Sequence, residues 1–478
     1  MEQKNEKRII KEICTKVLRK VTPSEKEKEE VLQFSKNLAK KLTKKLQSSA
    51  IRAKAHVHGS VAKDTWLAGE KDIDMFVLLP KAYTKEIFPK VLNVVKTLVG
   101  EKWMEAYAEH PYIKAEVEEY KIDFVPCFKI ERAEEAISSV DRTPLHTSYI
   151  KRNLDQQAKN EVRLLKRFMR GVDTYGAEIK VGGFSGYLCE LLILRYKSFV
   201  NVLEAFAQHK KRIVIDIEAY YKGRENELEL LFKEPLVTVD PVDRGRNVAS
   251  AVQPKKLYTF VAAARAFLKN PNTKFFYPPE TGALPAKELK QKLAKRGSAI
   301  IFLTFEKVDA VPDILWGQLY KSKRSLHKLM QLNGFNVLRD LPWSDEKTIN
   351  MFIFELEQRF ISLVKKHLGP PLEKKNECEK FLLKHINSSN TVSGPYIEDG
   401  RWVVEIRRKY TDAVVLLKDK LRDGGRSTGV AEQISKKLRK GFEIFVNEEI
   451  TGVYKKNSEF AKFLTDFLSG KPKWLENA

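Results

Sequence analysis

Two carboxylates two residues apart inside an apolar run, Asp72-Ile-Asp-Met-Phe-Val-Leu-Leu79, constrain this chain more than any other feature. The run predicts a β-strand, and a strand's period of two sends both carboxylates to one face. Two like charges side by side in an apolar strand are costly to bury unless a cation neutralises them. A divalent metal is the natural candidate. Hard cations such as Mg²⁺ take oxygen ligands and leave room for substrate phosphates, so this pair plus one further carboxylate would make a two-metal platform for phosphoryl transfer. Asp123 supplies it, as the lone acid in the strand-like run Tyr120-Lys-Ile-Asp-Phe-Val-Pro-Cys-Phe128. Asp72, Asp74 and Asp123 are therefore the candidate catalytic and metal-ligating residues.

Upstream, the strand-like Ala53-Lys-Ala-His-Val-His58 ends in Gly59-Ser60. Glycine allows close backbone approach, and Ser60 offers a hydroxyl to a phosphate. A lone Gly-Ser pair is usually only a turn, and a single Asp-x-Asp is common on surfaces. Together, an apolar residue followed by Gly-Ser, a gap of eleven residues, Asp72-Ile-Asp-Met75 and a later strand aspartate resemble the signature of the polymerase-beta nucleotidyltransferase superfamily. That resemblance implies a mixed sheet backed by helices, two metal ions and nucleotidyl transfer from a nucleoside triphosphate.

The stretch from Gly59 to Met75 is moreover similar to the head-domain motif of the class I, archaeal-type CCA-adding tRNA nucleotidyltransferases. Arg142-Thr-Pro-Leu-His146, Asn160-Glu-Val-Arg-Leu-Leu-Lys166, Tyr175-Gly-Ala-Glu178, Gly183 to Leu191, Asp240-Pro-Val-Asp243, Arg246-Asn-Val-Ala249 and Gly400-Arg-Trp-Val-Val-Glu405 resemble that family in order. The similarity runs from about residue 50 to about residue 410. It implies template-independent addition of C, C and A to the 3′ end of tRNA from CTP and ATP. Two Mg²⁺ ions would be held by Asp72 and Asp74, with Asp123 joining the one nearer the RNA primer. It further implies that Gly59, Ser60, Lys63, His146, Lys166 and Tyr175 hold the triphosphate. Arg246 would read the incoming base, its rigid fork of donors pairing with acceptors on cytosine and adenine. Read without the family, Arg246 is a turn arginine paired with Asp243. Lys63 departs from the family's arginine, keeping charge but losing bidentate phosphate geometry.

Composition agrees. With 87 Lys+Arg against 63 Asp+Glu, a formal charge of +24, the chain attracts polyanions, and tRNA (3′ end, acceptor and T arm) is the partner expected, with no DNA template. A membrane is not expected as a partner, because no stretch approaches the roughly 18 to 20 apolar residues a span needs. The first eight residues lack a signal-peptide apolar core, so the chain reads as cytoplasmic. Cys14, Cys127, Cys189 and Cys378 show neither zinc spacing nor a disulfide framework. His56 and His58 could ligate a metal from one strand face, but no further Cys or His lies nearby in sequence. A homodimer is possible, and the residues do not reveal the oligomeric state.

The expected fold is a multidomain α+β chain in four parts. A polymerase-beta-like catalytic head (1–142) combines a mixed sheet with backing helices, followed by a helical, nucleotide-binding neck (143–255), an α/β RNA-binding body (256–365) and a tRNA-binding tail (366–478). Thr22-Pro-Ser-Glu25 has capping-box spacing before a helix that buries Val31, Leu38, Leu42 and Leu46. Strands at 53–58, 72–79 and 120–128 bracket a helix at Phe88–Val99. Glu109-His-Pro-Tyr112 reads as an exposed loop, and its family counterpart gives Glu109, His110 and Tyr112 a role at the primer end. Val162, Leu165 and Met169 have core spacing, leaving Arg163, Lys166, Arg167 and Arg170 for the surface. Gly369-Pro-Pro371 and the charged stretch after it look like a boundary. Lys436, Lys437, Arg439 and Lys440 form either a solvated helix face or a phosphate-tracking one, and Lys436, Lys437 and Arg439 are the candidate RNA contacts among them.

Two alternatives stay open from the residues. A poly(A) or poly(U) polymerase would share the carboxylates without a built-in stop, and a catalytically idle RNA-binding protein would share only the fold.

Overall fold

The computed structural model describes residues 2–107, 110–209 and 211–475. They form two compact units, Met1–Glu280 with Lys471–Ala478, and Thr281–Gly470.

In the first unit, α1 (Glu2–Val21) closes when the Thr22 backbone N–H donates to Leu18 O at 2.9 Å. Because Thr22 ends that helix, it cannot open the next. Ser24 does so instead, its hydroxyl accepting from the Glu27 N–H at 3.2 Å at the start of α2 (Glu25–Ser48). This corrects the capping position expected from sequence. Val31, Leu38, Leu42 and Leu46 are buried as expected.

The sheet that α2 backs contains β1 (Lys54–His58), β2 (Asp72–Leu79), β3 (Trp103–Tyr107), β4 (Pro111–Val117) and β5 (Tyr120–Phe128), in the order β1-β2-β5-β4-β3. Only β2 and β5 run parallel, so the sheet is mixed. A short helix, α3 (Gly59–Lys63), follows β1, and α4 (Phe88–Val99) precedes β3. Both β3 and β4 are additional to the expected strands. The expected loop at 109–112 is partly strand: Pro111 and Tyr112 open β4, while His110 is buried with its ring 4.6 Å from Phe88. Glu109 lies outside the described residues. The cause is a short amphipathic pattern, in which β4 buries Ile113 and Ala115 and turns Lys114 and Glu116 outward.

Helices α5 (Thr143–Asn153), α6 (Gln156–Gly171), α7 (Gly186–Tyr196) and α8 (Phe199–Ala207) follow. Next come β6 (Ile213–Ile215), α9 (Glu225–Leu231), β7 (Leu236–Asp240), β8 (Asp243–Asn247) and α10 (Pro254–Lys269), with a small sheet in the order β6-β7-β8. Their core is aromatic: Phe168 packs against Phe199, Phe260, Phe267, Phe275 and Phe276 at 5.4 to 6.1 Å between centroids. Arg163 and Lys166 are fully buried rather than on the surface expected for them, because each finds polar partners in the loop after α3.

The second unit is built on an antiparallel sheet. Its elements in chain order are α11 (Ala286–Ala294), β9 (Ala299–Glu306), α12 (Pro312–Leu332), β10 (Val337–Ser344) and β11 (Ile349–Leu356). Although β9, α12 and β10 follow one another as strand, helix and strand, β11 lies between the two strands in the sheet, and every pairing is antiparallel. A separate three-stranded sheet follows, made of β12 (Val364–Pro371), β13 (Thr391–Glu398) and β14 (Arg401–Arg407), with α13 (Lys375–His385) packed on it. Gly369-Pro-Pro371 is thus strand rather than boundary. Prolines are tolerated there because β12 is an edge strand whose register breaks between Leu368 and Pro371. The chain then returns through α14 (Ala413–Leu421) and α15 (Glu432–Lys440) to β15 (Glu443–Val446), which pairs with β9, before α16 (Thr451–Lys456) and α17 (Ser458–Ser469).

Candidate active site

Parallel pairing of β2 with β5 sets Asp74 directly beside Asp123, and strand alternation puts Asp72 on the same face two residues earlier. Ile73, Met75, Ile122 and Phe124 point the other way into the core. One cavity of about 660 Å³ takes in all three carboxylates, together with Lys114, Trp103 and Met104.

The charges here are not balanced by the protein alone. Burial pushes the Asp123 carboxyl up to about 6; the Lys114 ammonium 3.8 Å away pulls it down, while Asp74 and Asp72 repel it upward again. Asp74 is likewise raised, first by burial and then by Asp72, against the pull of Lys63, Lys166 and Lys114. Among the described residues, no three His, Cys, Asp or Glu side chains stand close enough together to hold a metal ion. The donor chemistry nonetheless suits a hard divalent cation: three carboxylates share one sheet face, and ionisation of Asp74 and Asp123 is opposed by burial and by neighbouring carboxylates.

Gly59 adjoins this face. Its backbone φ is +65°, and a Cβ there would overlap the Asp74 carboxylate, so both the turn and the close approach require glycine. Ser60 follows within α3, and its carbonyl accepts the Thr65 N–H at 3.0 Å. His58, paired with Asp74 across β1 and β2, is buried against Phe76, and its Nδ1 lies 3.2 Å from the Thr147 hydroxyl. Burial depresses this imidazole to about 4, so it stays neutral near pH 7.

The loop after α3 is held from behind by α6 and α7. Arg163 donates to Trp66 O at 3.0 Å and to Asp64 O at 2.8 Å, and its guanidinium meets the Asp64 carboxylate at 2.5 Å. Lys166 donates to Thr65 O at 2.9 Å. Glu190, wholly buried on α7, accepts from Lys63 at 2.5 Å and from the Thr65 hydroxyl at 2.6 Å. Lys63 and Lys166 are therefore neighbours around Thr65, close enough to Asp74 to lower its pKa. Gly186, at the start of α7, brings Tyr175 and Lys166 together, since a Cβ there would lie 3.1 Å from Tyr175 Oη and 3.5 Å from Lys166 Nζ.

His146 and Arg246 converge on Asp240 at the end of β7. The His146 Nε2 lies 2.9 Å, and an Arg246 N–H 2.7 Å, from Asp240 Oδ2, while the Tyr187 hydroxyl donates to Oδ1 at 3.1 Å. Burial alone would raise Asp240, but the His146 hydrogen bond and the Arg246 charge outweigh it and hold the carboxyl below its usual range. Tyr187 stacks on His146 at 4.2 Å and lies under the Lys63 ammonium at 5.6 Å, which joins the two clusters. Arg246 does not hold Asp243, as its turn reading supposed; Arg142 does, at 2.7 Å.

The sequence motifs contain Glu190, Asp240 and Tyr187 without giving them a role, and Lys114 lies outside those motifs. Glu190 had a signal: a single acid inside the apolar helix Gly186-Tyr-Leu-Cys-Glu-Leu-Leu-Ile-Leu194 must find a buried partner. The candidate RNA contacts in the second unit are each engaged locally. Lys436 pairs with Glu432 at 2.8 Å, Lys437 lies 3.6 Å from Asp309, and Arg439 donates to Asp423 O at 2.8 Å. No helix among the described residues is long and apolar enough to cross a membrane.

Three family models match in series: a nucleotidyltransferase domain over 36–146, the second domain of tRNA nucleotidyltransferase over 160–277, and the C-terminal domain of CCA-adding enzyme over 296–447. The CCA-adding enzyme of Methanothermobacter thermautotrophicus is 36% identical over 458 residues, covering 95% of this chain and 97% of its own. That of Methanosarcina barkeri is also 36% identical, covering 92% and 95%. A solved structure of a cytoplasmic RNA terminal U-transferase aligns over 56% of this chain and 98% of its own at 18% identity, with a TM-score of 0.44, too low to decide anything.

Proposed function

Because the chain belongs to the CCA-adding enzyme family and is a tRNA nucleotidyltransferase, we propose how its own residues carry out the addition of C, C and A to the 3′ end of tRNA. The observation that carries the assignment is the register of β2 against β5, which lines up Asp74 with Asp123 and places Asp72 on their face. Asp72, Asp74 and Asp123 would hold two Mg²⁺ ions, whose chemistry when bound would be to offset negative charge on the reacting phosphates and on the leaving pyrophosphate.

The Gly59 turn brings chain backbone against Asp74, so a triphosphate beside Ser60 meets the carboxylate face at close range. Lys63 and Lys166, steadied by Glu190 and Thr65, supply positive charge behind that turn, and Tyr175 offers a hydroxyl beside Lys166. His146 and Arg246 hold the base side of the pocket. Asp240 fixes both, leaving further guanidinium N–H groups to pair with CTP for the first two additions and with ATP for the third. The growing RNA end alters the pocket's shape, so the choice between the two nucleotides is made jointly by protein and RNA. The RNA partner engages by its acceptor and T arm, and the reaction belongs to the cytoplasm.

The test is incorporation of radiolabelled CTP and ATP into tRNA lacking its 3′ end, with Mg²⁺ present. Three defined additions are expected. An unbounded tail, or none, would overturn the reading.

A further inference from the structure

Beyond the catalytic pocket, β7 carries a second feature at its opposite end. Asp240 closes the strand on the nucleotide side, whereas Lys233, Glu234 and Pro235 precede it beside the start of β6. There a recess of about 420 Å³ is lined by His209, Lys211, Arg212, Lys233 and Arg265, with Tyr258 at one wall. Five residues of strand separate the two ends, roughly 16 Å at strand rise, beyond the reach of a triphosphate held at the catalytic face.

The charges in this recess are lopsided. Four permanent cations face a single carboxylate, Glu234, one of whose oxygens already accepts the Lys233 backbone N–H at 3.0 Å. Among the described residues, none of the four makes an ion pair. Both arginines are instead pinned by neutral carbonyls. Arg265 donates to Ala207 O at 2.7 Å and His209 O at 3.0 Å, while Arg212 donates to Glu234 O at 3.1 Å and to Phe232 O. Lys233 donates to Glu229 O at 2.7 Å. Such hydrogen bonds fix a guanidinium in place without cancelling its charge, and each arginine uses two of five N–H donors, leaving others for a ligand. The exposed Tyr258 ring lies 6.3 Å from the His209 ring and 31° from parallel to it, an arrangement in which a base could stack on tyrosine while phosphate meets the cations.

We propose that this recess binds the phosphodiester backbone of the RNA substrate as a site separate from the catalytic pocket, anchoring the RNA while nucleotides are added. The proposal rests on the tRNA reading above for the identity of the RNA. The nucleotide arriving as CTP or ATP is the other source of phosphate, and the experiment separates the two.

Lys233→Gln and Arg265→Gln are combined in the full-length protein, and Tyr258→Ala is made alone. Affinity for tRNA lacking its 3′ end is measured without nucleotide over a range of salt, and KM for CTP and kcat are measured at saturating tRNA. The double variant should weaken tRNA binding about tenfold or more and reduce the slope of log K against log salt by about two, one for each phosphate that is no longer neutralised. Tyr258→Ala should weaken binding with little change of slope. KM for CTP and kcat should remain those of the parent. Unchanged tRNA affinity and slope would overturn the proposal, as would a rise in KM for CTP alone, which would mark a nucleotide site. Lys233→Gln by itself, at an exposed side chain, should weaken tRNA binding and reduce the slope by about one if the double variant unfolds. Should the parent protein bind tRNA but add no CCA, the functional reading fails while the recess is still judged by the binding data.

Discussion

Asp123 and Asp240 both sit at sheet positions in one unit, yet their surroundings drive them in opposite directions. Around Asp240 the protein supplies its own compensation: an imidazole, a guanidinium and a phenol converge on one buried carboxylate and hold it ionised. Around Asp123 there is a single ammonium, at 3.8 Å, against two further carboxylates, and the carboxyl is pushed up to about 6. A carboxylate with its partners built in is a positioning device. One left short of positive charge is where an incoming cation would gain most.

Asp74→Asn tests that contrast most severely. It should lower CCA incorporation by about a thousandfold or more, corresponding to several kcal/mol of lost transition-state stabilisation, while tRNA affinity holds. Single-turnover incorporation alongside a binding assay gives both numbers. Asp240→Asn should do something different in kind. It leaves Arg246 and His146 without their anion in a buried place, so urea unfolding should show a loss of about 3 kcal/mol, and discrimination between CTP and ATP should degrade. If Asp240→Asn were instead as stable as the parent, the idea of built-in compensation would be wrong.

Acid titration sharpens the other half. Asp123 binds its proton more tightly folded than unfolded, so its contribution favours the folded state most at low pH and is lost as pH rises from about 4 through about 6. In metal-free protein, the thermal midpoint of Asp123→Asn relative to the parent should therefore improve between pH 5 and pH 8. Added Mg²⁺ should raise the parent's midpoint at pH 8 by more than the variant's, which keeps Asp72 and Asp74, and incorporation should fall as pH drops below about 6. The smallest effect is expected at Lys436, whose exposed pair with Glu432 is screened by solvent. Lys436→Ala should leave the unfolding midpoint where it is, so any fall in tRNA affinity would report on RNA binding alone.

Much of the head was legible in advance. The strands bearing Asp72, Asp74 and Asp123 alternate or are bounded by turn residues, and α4 occupies the expected residues, because local periodicity there agrees with the final burial. Other elements resisted for definite reasons. β4 opens on a proline and alternates charge with apolar residues only from Ile113 to Glu116, so its two inward residues look like chance in a sequence. Arg163 and Lys166 sit at positions that periodicity assigns to solvent, yet a loop nearly a hundred residues earlier gives them carbonyl partners and so offsets the cost of burial. Nothing local to α6 announces that loop.

The sequence by itself determined the chemical kind of this protein. An apolar strand with carboxylates at a spacing of two, a Gly-Ser turn ahead of it and a strongly cationic chain point to a cation and a polyanion as partners. Tertiary structure decided the partnerships. That Asp240 rather than Asp243 holds Arg246, that Glu190 steadies Lys63, and that β7 ends in the Asp240 cluster and begins beside a cationic recess all depend on which distant segments meet. Such meetings are set by long-range packing, and side-chain spacing along the chain does not encode them.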